Sequence, residues 1–532
     1  MSTASTPSFL SQNDVKLPSP KLTQIPSTIP FLQMCHKFQE IKQVHAQLIV
    51  SGLIHHKPNT SRLLESYVSM SQFQDACKLF NSIKNPDSFA YNATIRALIL
   101  DKCPDKSIYM FHDLLSNGII PDSHTYTFIL KACSKLKVLS EGKQIHCLII
   151  KNLRETNSFI NSSLVHMYSN SNDMESAKKV VDGLVQEDVL ASNALVTGYL
   201  NQGQVEVAKK LFDKMVTKND ASWSIMSSGY TKNGMYEEAL IVFAEMLAFE
   251  IVVNEAGLVS ALSACTHLGN LEKGMYIHKY INMNVVKVGT KLLTALVEMY
   301  GKCGWLEGSY QVFEAIPRKD VVSWGTIISC FAFHGQPEKC FELFDRMVSS
   351  GVLPNEVVFV SILTACSHSG LVEQGCHYFV KMVNGFEIRP SVEHYGCMVD
   401  LLGRVKRLSD AEELISTMLQ PPNKVIWGTL LNACRLHSDY STGRRVYQHL
   451  TEMEKLVGDR YKLAARMFDE MGEVEDANDI RKFTSDKNLH SRSGLSMIVV
   501  DGDVHNFMVG DISHQKSKEI YHLLMGQSRY TK

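Results

Sequence analysis

The stretch that decides the fold is residues 220–254, which read DASWSIMSSGYTKNGMYEEALIVFAEMLAFEIVVN. Two apolar segments with helical spacing follow one another in it, and it ends in an asparagine. The same arrangement returns at 321–355, again with a Ser-Trp pair near its start and an asparagine at its end. Similar stretches recur along the chain at steps of 31 and 35 residues. Such a period indicates one supersecondary unit that is copied and stacked.

Each unit is predicted to be a pair of helices, A and B. In the stretch quoted above, helix A opens with Ser222 and Trp223, and Gly234 at unit position 15 supplies the left-handed turn that ends it. Helix B carries Ala239 at position 20, where a small residue lets the two helices approach closely, and Met246 at position 27. Neighbouring pairs must bury what one pair leaves exposed, so we predict an all-α solenoid whose A helices line a concave face. These residues alone leave the handedness of the superhelix open.

The composition limits the function classes. The chain has 532 residues, a formal net charge of -1 and a pI near 7.0, so no overall basic field indicates nucleic acid. Its 13 cysteines include no Cys-x-x-Cys pair, which favours reduced thiols in an intracellular compartment. No apolar run approaches the roughly 18 residues that a membrane span needs, and we expect no membrane partner.

Zinc deaminase chemistry is not predicted. It needs His-x-Glu and a later Cys-x-x-Cys, and none of the 20 histidines is followed by Glu two positions later. The cysteines that recur in the A helices are interpreted as small core residues. We therefore expect that the chain is not an enzyme and that it has no catalytic residue, no cofactor and no metal site.

The repeat divides the chain into five parts. The first, rich in Ser, Thr and Pro with Asp14 as its one acidic residue, is typical of an organellar transit peptide, and a frayed polar terminus is the alternative. A degenerate unit comes next, then the regular array and two diverged helix pairs. The predicted boundaries are 1–30, 31–56, 57–423, 424–492 and 493–532.

The unit ends carry a family resemblance. Gly118-Ile119-Ile120-Pro121-Asp122 and Gly351-Val352-Leu353-Pro354-Asn355 resemble the ends of pentatricopeptide repeats (PPR). The alternating unit lengths resemble the plant PLS class, in which Leu130-Lys131-Ala132-Cys133-Ser134 is similar to the long L type and Leu296-Val297-Glu298-Met299-Tyr300 to the short S type. This resemblance implies a right-handed α-solenoid superhelix of helix-turn-helix PPR repeats.

The C-terminal part extends the resemblance. The stretch VIWGTLLNACR at 425–435 resembles the start of the family's E1 motif, and 501–514 resembles its E2/E+ region. The family's usual Pro-Gly-Cys-Ser-Trp is replaced by Ser493-Gly494-Leu495-Ser496-Met497. The resemblance therefore implies E1/E2 motifs at 424–492 and a truncated E+ tail at 493–532, without a DYW deaminase domain.

The resemblance also implies that each unit reads one RNA base with two polar side chains, at position 5 and at the last residue. Different hydroxyl, amide and carboxylate groups offer different donors and acceptors. The implied target is G-U-n-G-C/U-A-n-G-n-n-n, with one base for each unit from 57–87 to 392–423. Gly325 and Gly396 at position 5 leave the ninth and eleventh bases undefined. Capping of the next helix is the alternative role of the same residue types. The implied base-reading pairs are Ser61 with Asp87, Asn92 with Asp122, Thr127 with Asn157, Ser162 with Asp188, Asn193 with Asn219, Ser224 with Asn254, and Thr294 with Asp320.

Two other positions bear on nucleic acid. Cations that recur at position 13 can follow phosphates even when the net charge is near zero, and a solvated face is the alternative. Phe89, Phe159 and Val322 at position 2 are predicted to pack either on bases or in the core. The phosphate-contact candidates are Lys135, Lys232, Lys302 and Arg404.

The function that the resemblance implies is selection of organellar transcript sites for C-to-U RNA editing. The implied partners are single-stranded organellar RNA, a deaminase-bearing DYW-type PPR protein in trans and small organellar RNA editing factors. An RNA stabilisation or splicing factor and a protein-binding helical-repeat scaffold are the alternatives. E-type relatives indicate the mitochondrion, and the hydroxyl-rich start makes the chloroplast the alternative compartment.

Overall fold

The computed structural model consists of antiparallel helix pairs. Each pair joins a helix A to a helix B, and each helix A packs on the helix A of the following pair within the same compact unit. Helix B lies between the A helices of its own pair and of the next. The residues that the structure describes are 35, 37–284, 288–452, 458–470, 472, 474–486, 495–500, 503–508, 516–517 and 519–520.

The chain separates into two compact units, the first ending at Thr217 and the second beginning at Lys218. In the first unit, α1 (Phe38–Val50) and a 3-10 turn (Leu53–His55) precede five pairs. These pairs are α2 (Lys57–Ser69) with α3 (Phe73–Asn81), α4 (Ser88–Leu100) with α5 (Pro104–Ser116), α6 (Ser123–Leu136) with α7 (Leu139–Asn152), α8 (Ser158–Asn170) with α9 (Met174–Asp182), and α10 (Val189–Asn201) with α11 (Val205–Lys214).

The second unit continues the same arrangement. Its pairs are α12 (Asp220–Lys232) with α13 (Tyr236–Ala248), α14 (Glu255–Leu268) with α15 (Leu271–Met283), α16 (Thr290–Lys302) with α17 (Leu306–Glu314), α18 (Val321–Phe333) with α19 (Pro337–Ser349), α20 (Glu356–Ser369) with α21 (Val372–Val380) and its π turn (Lys381–Gly385), α22 (Val392–Arg404) with α23 (Leu408–Ser416), α24 (Lys424–Leu436) with α25 (Tyr440–Glu452), and α26 (Gly458–Glu470) with α27 (Val474–Asp486).

One β-hairpin departs from the helical pattern. Strands β1 (Leu495–Val500) and β2 (Asp503–Met508) pair antiparallel, with Leu495 opposite Met508 and Val500 opposite Asp503. The hairpin falls in the tail that the resemblance implied and was not predicted from the sequence. The all-α solenoid class is confirmed for the repeats, whereas residues 1–30 lie outside the described residues.

The turn between helix A and helix B is left-handed in every regular unit. Gly234 has φ +77°, as the sequence predicted, because glycine adopts this conformation without steric cost. At the same unit position six other residues are forced into it: Ser71, Lys102, Lys137, Asn172, Lys406 and Ser438, with φ between 55° and 65°. The turn therefore follows from the packing of the helix pair and does not depend on glycine.

Position 20 is the site of closest helix approach. Ala76, Ala177, Ala208, Ala239 and Cys340 occupy it with no exposed surface. In α7 the residue is Gly142, where an added Cβ would lie 2.2 Å from Met167 Sδ in α8. The small residue thus makes room for helix A of the next unit, and not only for helix A of its own unit as the sequence analysis assumed.

Helix α1 is equivalent to α7 and α15. Each of the three carries a histidine whose Nδ1 lies 2.8 Å from the hydroxyl of a tyrosine 22 residues later, in the next helix A. The pairs are His45 with Tyr67, His146 with Tyr168, and His278 with Tyr300. The helix in the degenerate segment 31–56 is therefore a B helix. Across the described ranges, no helix combines the length and apolar character of a membrane span.

Candidate nucleic-acid interface

Position 5 lies in the first turn of each helix A, and the last residue of the unit precedes the following helix A, which it caps in most units though not at Gly289. Three of the predicted pairs are hydrogen-bonded. Ser61 Oγ donates to Asp87 Oδ1 at 3.2 Å. Asn92 Nδ2 lies 3.1 Å from both carboxylate oxygens of Asp122. The third pair is Ser224, whose Oγ donates to Asn254 Oδ1 at 2.7 Å.

Three other predicted pairs are not joined in this way. Thr127 Oγ1 donates to the Ser123 carbonyl at 2.7 Å and Thr294 Oγ1 to the Thr290 carbonyl at 2.8 Å. A hydroxyl in a helix can donate to a carbonyl of its own preceding turn, and these two threonines do so in place of the terminal residue. Ser162 likewise donates to the Phe159 carbonyl, at 3.2 Å.

Asp188 has a different partner from the one predicted. Asn161 Nδ2 donates to Asp188 Oδ2 at 3.0 Å, so the residue at position 4 makes the contact expected of Ser162. The longer amide reaches the next helix where the serine hydroxyl does not. A long polar residue at position 4, here Asn161, is the sequence feature that could have predicted this contact.

The last predicted pair, Asn193 with Asn219, falls at the division between the compact units. Asn193 is buried in α10 of the first unit. Asn219 belongs to the second unit, where its side chain accepts from the Ser222 amide at 2.9 Å and caps α12.

Most position-5 side chains are buried. The exposed fraction is 8% for Asn92, 4% for Ser224 and 9% for Thr294, because consecutive A helices close the seam over them. The terminal residues Asp122 and Asn254 remain half-buried, and Asp320 is exposed. The terminal side chain is therefore the more accessible member of each of these pairs.

The terminal residues do cap helices, as the alternative interpretation stated. Asp87 Oδ1 accepts from the Ala90 amide at 2.9 Å, and Asn157 Oδ1 accepts from the Ile160 amide at 2.9 Å. The second atom also has a partner in several of these residues: Asp122 Oδ2 accepts from Asn92, Asp188 Oδ2 accepts from Asn161, and Asn254 Nδ2 donates to Asp220 Oδ2 at 3.2 Å. A carboxylate oxygen has two acceptor sites, so a cap leaves capacity for a further hydrogen bond.

The hydrogen bonds around Asp122 change the pKa of its carboxyl group. Burial opposes ionisation of this carboxyl, but hydrogen bonds from the Thr125 amide and hydroxyl and from the Asn92 amide outweigh burial and lower its pKa. Its carboxylate is thus held ionised, as an acceptor, at the surface of the A-helix layer.

Apolar and cationic groups flank the terminal residues. At position 2 the exposed fraction is 37% for Phe89, 65% for Phe159 and 59% for Val322, so these side chains face solvent and are not core residues. The four predicted phosphate contacts are exposed too, and none of them is without an intramolecular partner. Lys135 Nζ donates to the Ile99 carbonyl at 3.0 Å, Lys302 Nζ lies 4.7 Å from the Phe333 ring centre, and Arg404 Nε donates to Asp400 at 2.8 Å.

Two units that lack a position-5 side chain carry clefts instead. A cavity of about 260 Å³ lies beside Gly325 and one of about 400 Å³ beside Gly396. Both are bounded by the terminal asparagine of their unit, Asn355 and Asn423. Among the described residues no cluster of three histidine, cysteine or acidic side chains is arranged to hold a metal ion.

The repeats of this chain match known proteins in sequence. The PPR repeat family matches residues 86–135 and 319–368, and the PPR repeat matches 191–220, 221–251 and 393–420. The Arabidopsis thaliana protein ELI1, described as a chloroplastic pentatricopeptide repeat-containing protein, is 38% identical over 490 residues, which are 91% of this chain and 77% of ELI1. This chain belongs to the pentatricopeptide repeat family.

Other PPR proteins agree with this assignment. A second pentatricopeptide repeat-containing protein of Arabidopsis thaliana is 39% identical over 486 residues, covering 91% of each chain. The crystal structure of PPR10 from maize superposes with a TM-score of 0.52 at 14% identity, covering 87% of this chain and 73% of PPR10. The structural likeness concerns the fold.

Proposed function

We propose that this PPR protein binds single-stranded RNA along its A helices and selects organellar transcript sites for C-to-U editing. The observation that carries the proposal is the combination, in units such as 88–122, 158–188 and 321–355, of an exposed apolar side chain at position 2 and a half-buried carboxylate or amide at the terminal position. Exposed apolar groups stack on bases of any sequence, whereas the polar group distinguishes base edges.

The finer assignment is part of the same proposal. Alternating units of 35 and 31 residues support the PLS class, and the α24 sequence supports an E1 motif. The 424–492 and 493–532 segments would recruit a deaminase-bearing DYW-type PPR protein and small editing factors, since the sequence lacks the deaminase motifs. The target is G-U-n-G-C/U-A-n-G-n-n-n.

The decoding step is tested by exchanging two position-5 residues. Asn92→Ser with Ser224→Asn should change the preferred second letter from U to G and the sixth from A to a pyrimidine in a gel-shift assay. Wild-type protein on both RNAs is the control. Binding with unchanged preference would contradict the decoding, and the absence of binding to any of these RNAs would favour the scaffold alternative.

The editing step is tested in plants that lack the protein. Sequencing of organellar transcripts should show lost C-to-U conversion at a site with the proposed letters upstream, while transcript abundance stays unchanged. Reduced abundance or unspliced precursor with normal conversion would instead assign the protein to stabilisation or splicing.

The compartment is proposed to be the mitochondrion. A fusion of residues 1–60 to a fluorescent reporter should label mitochondria. Label in plastids would place this chain in the compartment named for ELI1, and diffuse label would contradict organellar import.

A further inference from the structure

At Gly325 a cavity separates neighbouring A helices. In units such as 88–122 the position-5 side chain fills this place, whereas at Gly325 a cavity of about 260 Å³ remains among α16, α18 and the start of α20. A Cβ on Gly325 would lie 3.4 Å from Val358 Cγ2, so any side chain here narrows the cleft. The absence of a side chain thus creates space for a ligand between neighbouring helices.

The mouth of the cleft has two apolar walls. Val322 at position 2 of this unit and Val357 at position 2 of the next both line it, with exposed fractions of 59% and 62%. Two exposed valines on either side of a slot suit a flat ring that packs against both. A nucleobase has this shape, and its polar edge would then point to the floor at Gly325.

The polar groups of the cleft are one amide and one carboxylate. Asn355 Oδ1 accepts from the Val358 amide at 3.2 Å, which commits the oxygen to the helix cap and leaves Nδ2 as the donor. Glu298 lines the opposite side from α16. Lys302, one turn later, lies over the Phe333 ring, and within the described ranges Glu298 forms no ion pair.

These groups match one base best. Guanine offers a carbonyl acceptor beside two adjacent N–H donors on its Watson–Crick edge, so Asn355 can donate to O6 while the Glu298 carboxylate accepts from N1–H and the N2 amino group. Adenine and cytosine can donate to the carboxylate through one amino group only, and uracil through one ring N–H. Charge-assisted bonds of this kind are about twice as strong as neutral ones.

The cleft at Gly396 differs from the cleft at Gly325 in its polar groups. The residue there that is equivalent to Glu298 is Thr364, whose hydroxyl donates to the Val360 carbonyl at 2.7 Å. Glu393 stands at position 2, where the first cleft has the apolar Val322. The other carboxylate, Asp400, already accepts from Ser367 Oγ at 2.5 Å and from Arg404 Nε at 2.8 Å. A carboxylate with two partners has less capacity for a base. Selectivity is therefore expected at Gly325 and not at Gly396.

We propose that the cleft at Gly325 is a guanine-selective base pocket formed by Val322, Val357, Asn355 and Glu298. This inference rests on the proposed RNA-binding function. It assigns the ninth letter of the target, which the position-5 rule left undefined, as G, and leaves the eleventh letter unselective. Because the terminal asparagines Asn219 and Asn254 go with C/U and A in the proposed target, the preference for guanine here comes from Glu298.

The pocket is tested with RNAs of the proposed sequence in which only the ninth nucleotide varies. Fluorescence anisotropy should give binding about tenfold tighter for G than for A, C or U, as expected for hydrogen bonds to a charged group. Inosine, which lacks the N2 amino group, should lose a large part of this preference. Variation of the eleventh nucleotide should change affinity less than twofold, by the contrast above.

Protein variants separate the pocket from general RNA affinity. Glu298→Gln and Gly325→Asn should each abolish the preference at the ninth letter while preferences at the first eight remain. Glu307→Gln, an exposed carboxylate on α17 with the same charge change, should keep it. Equal binding of all four ninth letters with the other letters still selective would overturn the pocket alone, whereas loss of selectivity at every letter, or no RNA binding, would overturn both proposals.

Discussion

At the scale of the residue, some terminal side chains cap a helix and contact the neighbouring unit, whereas others only cap. Asp122 caps α6 through the Thr125 amide and also receives the Asn92 amide. Asn157 caps α8 through the Ile160 amide, but its predicted partner Thr127 bonds to its own helix. The two positions therefore allow the cap and the interunit contact to be measured separately.

Asp122→Ala should destabilise the protein more than Asn157→Ala. Loss of a cap costs about 1 kcal/mol, and the buried Asn92 amide left without its partner adds roughly 1–3 kcal/mol. Urea unfolding of the two variants measures the difference. Equal destabilisation would mean that the Asn92–Asp122 contact contributes nothing to stability.

At the scale of the element, position 20 sets how closely helix B approaches the next helix A. Gly142→Leu should destabilise the protein by about 1–3 kcal/mol, because Met167 is fully buried and cannot move aside without cost. Gly396→Ala is the matched control, since an added Cβ there meets nothing within 4 Å and replaces glycine in a helix interior. It should stabilise the protein by about 0.4–1 kcal/mol. Thermal unfolding of both variants measures this, and a neutral Gly142→Leu would contradict the packing argument.

The three His–Tyr pairs predict a dependence of stability on pH. Burial lowers the pKa of His45, His146 and His278 below the ordinary 6.5, because it disfavours the charged imidazolium. The unfolded chain then binds protons at a higher pH than the folded chain does, so their stabilising effect is complete above pH 6.5 and is lost as the pH falls toward the lowered values.

The melting temperature should accordingly fall between about pH 7.5 and about pH 5.5, the range in which histidine titrates. A variant with all three histidines replaced by glutamine should show a weaker dependence over this range. His124→Gln, at an exposed position of α6, should behave as the wild type. An undiminished dependence in the triple variant would show that other groups cause it.

At the scale of the whole molecule, a net charge of -1 leaves phosphate binding to a few placed cations. If Lys135, Lys232, Lys302 and Arg404 each contact one phosphate, the slope of log K against log salt should be about -3, from roughly -0.7 per contact on single strands. Lys302→Ala should make it about 0.7 less steep, whereas Lys209→Ala, on a B helix, should not change it. A slope near zero, measured by anisotropy at several salt concentrations, would contradict phosphate tracking.

The sequence by itself determined the repeat, the helix pairs, the turn at Gly234 and the small residues at position 20. Each of these depends on residues close together in one unit, so spacing of three and four and a recurring glycine were sufficient to predict them. The terminal capping residues were also readable, because a cap involves only the first turn of the helix that follows.

Only the tertiary structure decided what position 5 and its neighbours do. The burial of Asn92, the use of Asn161 in place of Ser162, and the cleft at Gly325 all arise where one helix A meets the next, across roughly 30 residues of sequence. At such an interface the reach of a side chain and the space left by its neighbour decide the contact. Residue type and repeat position alone do not fix either quantity.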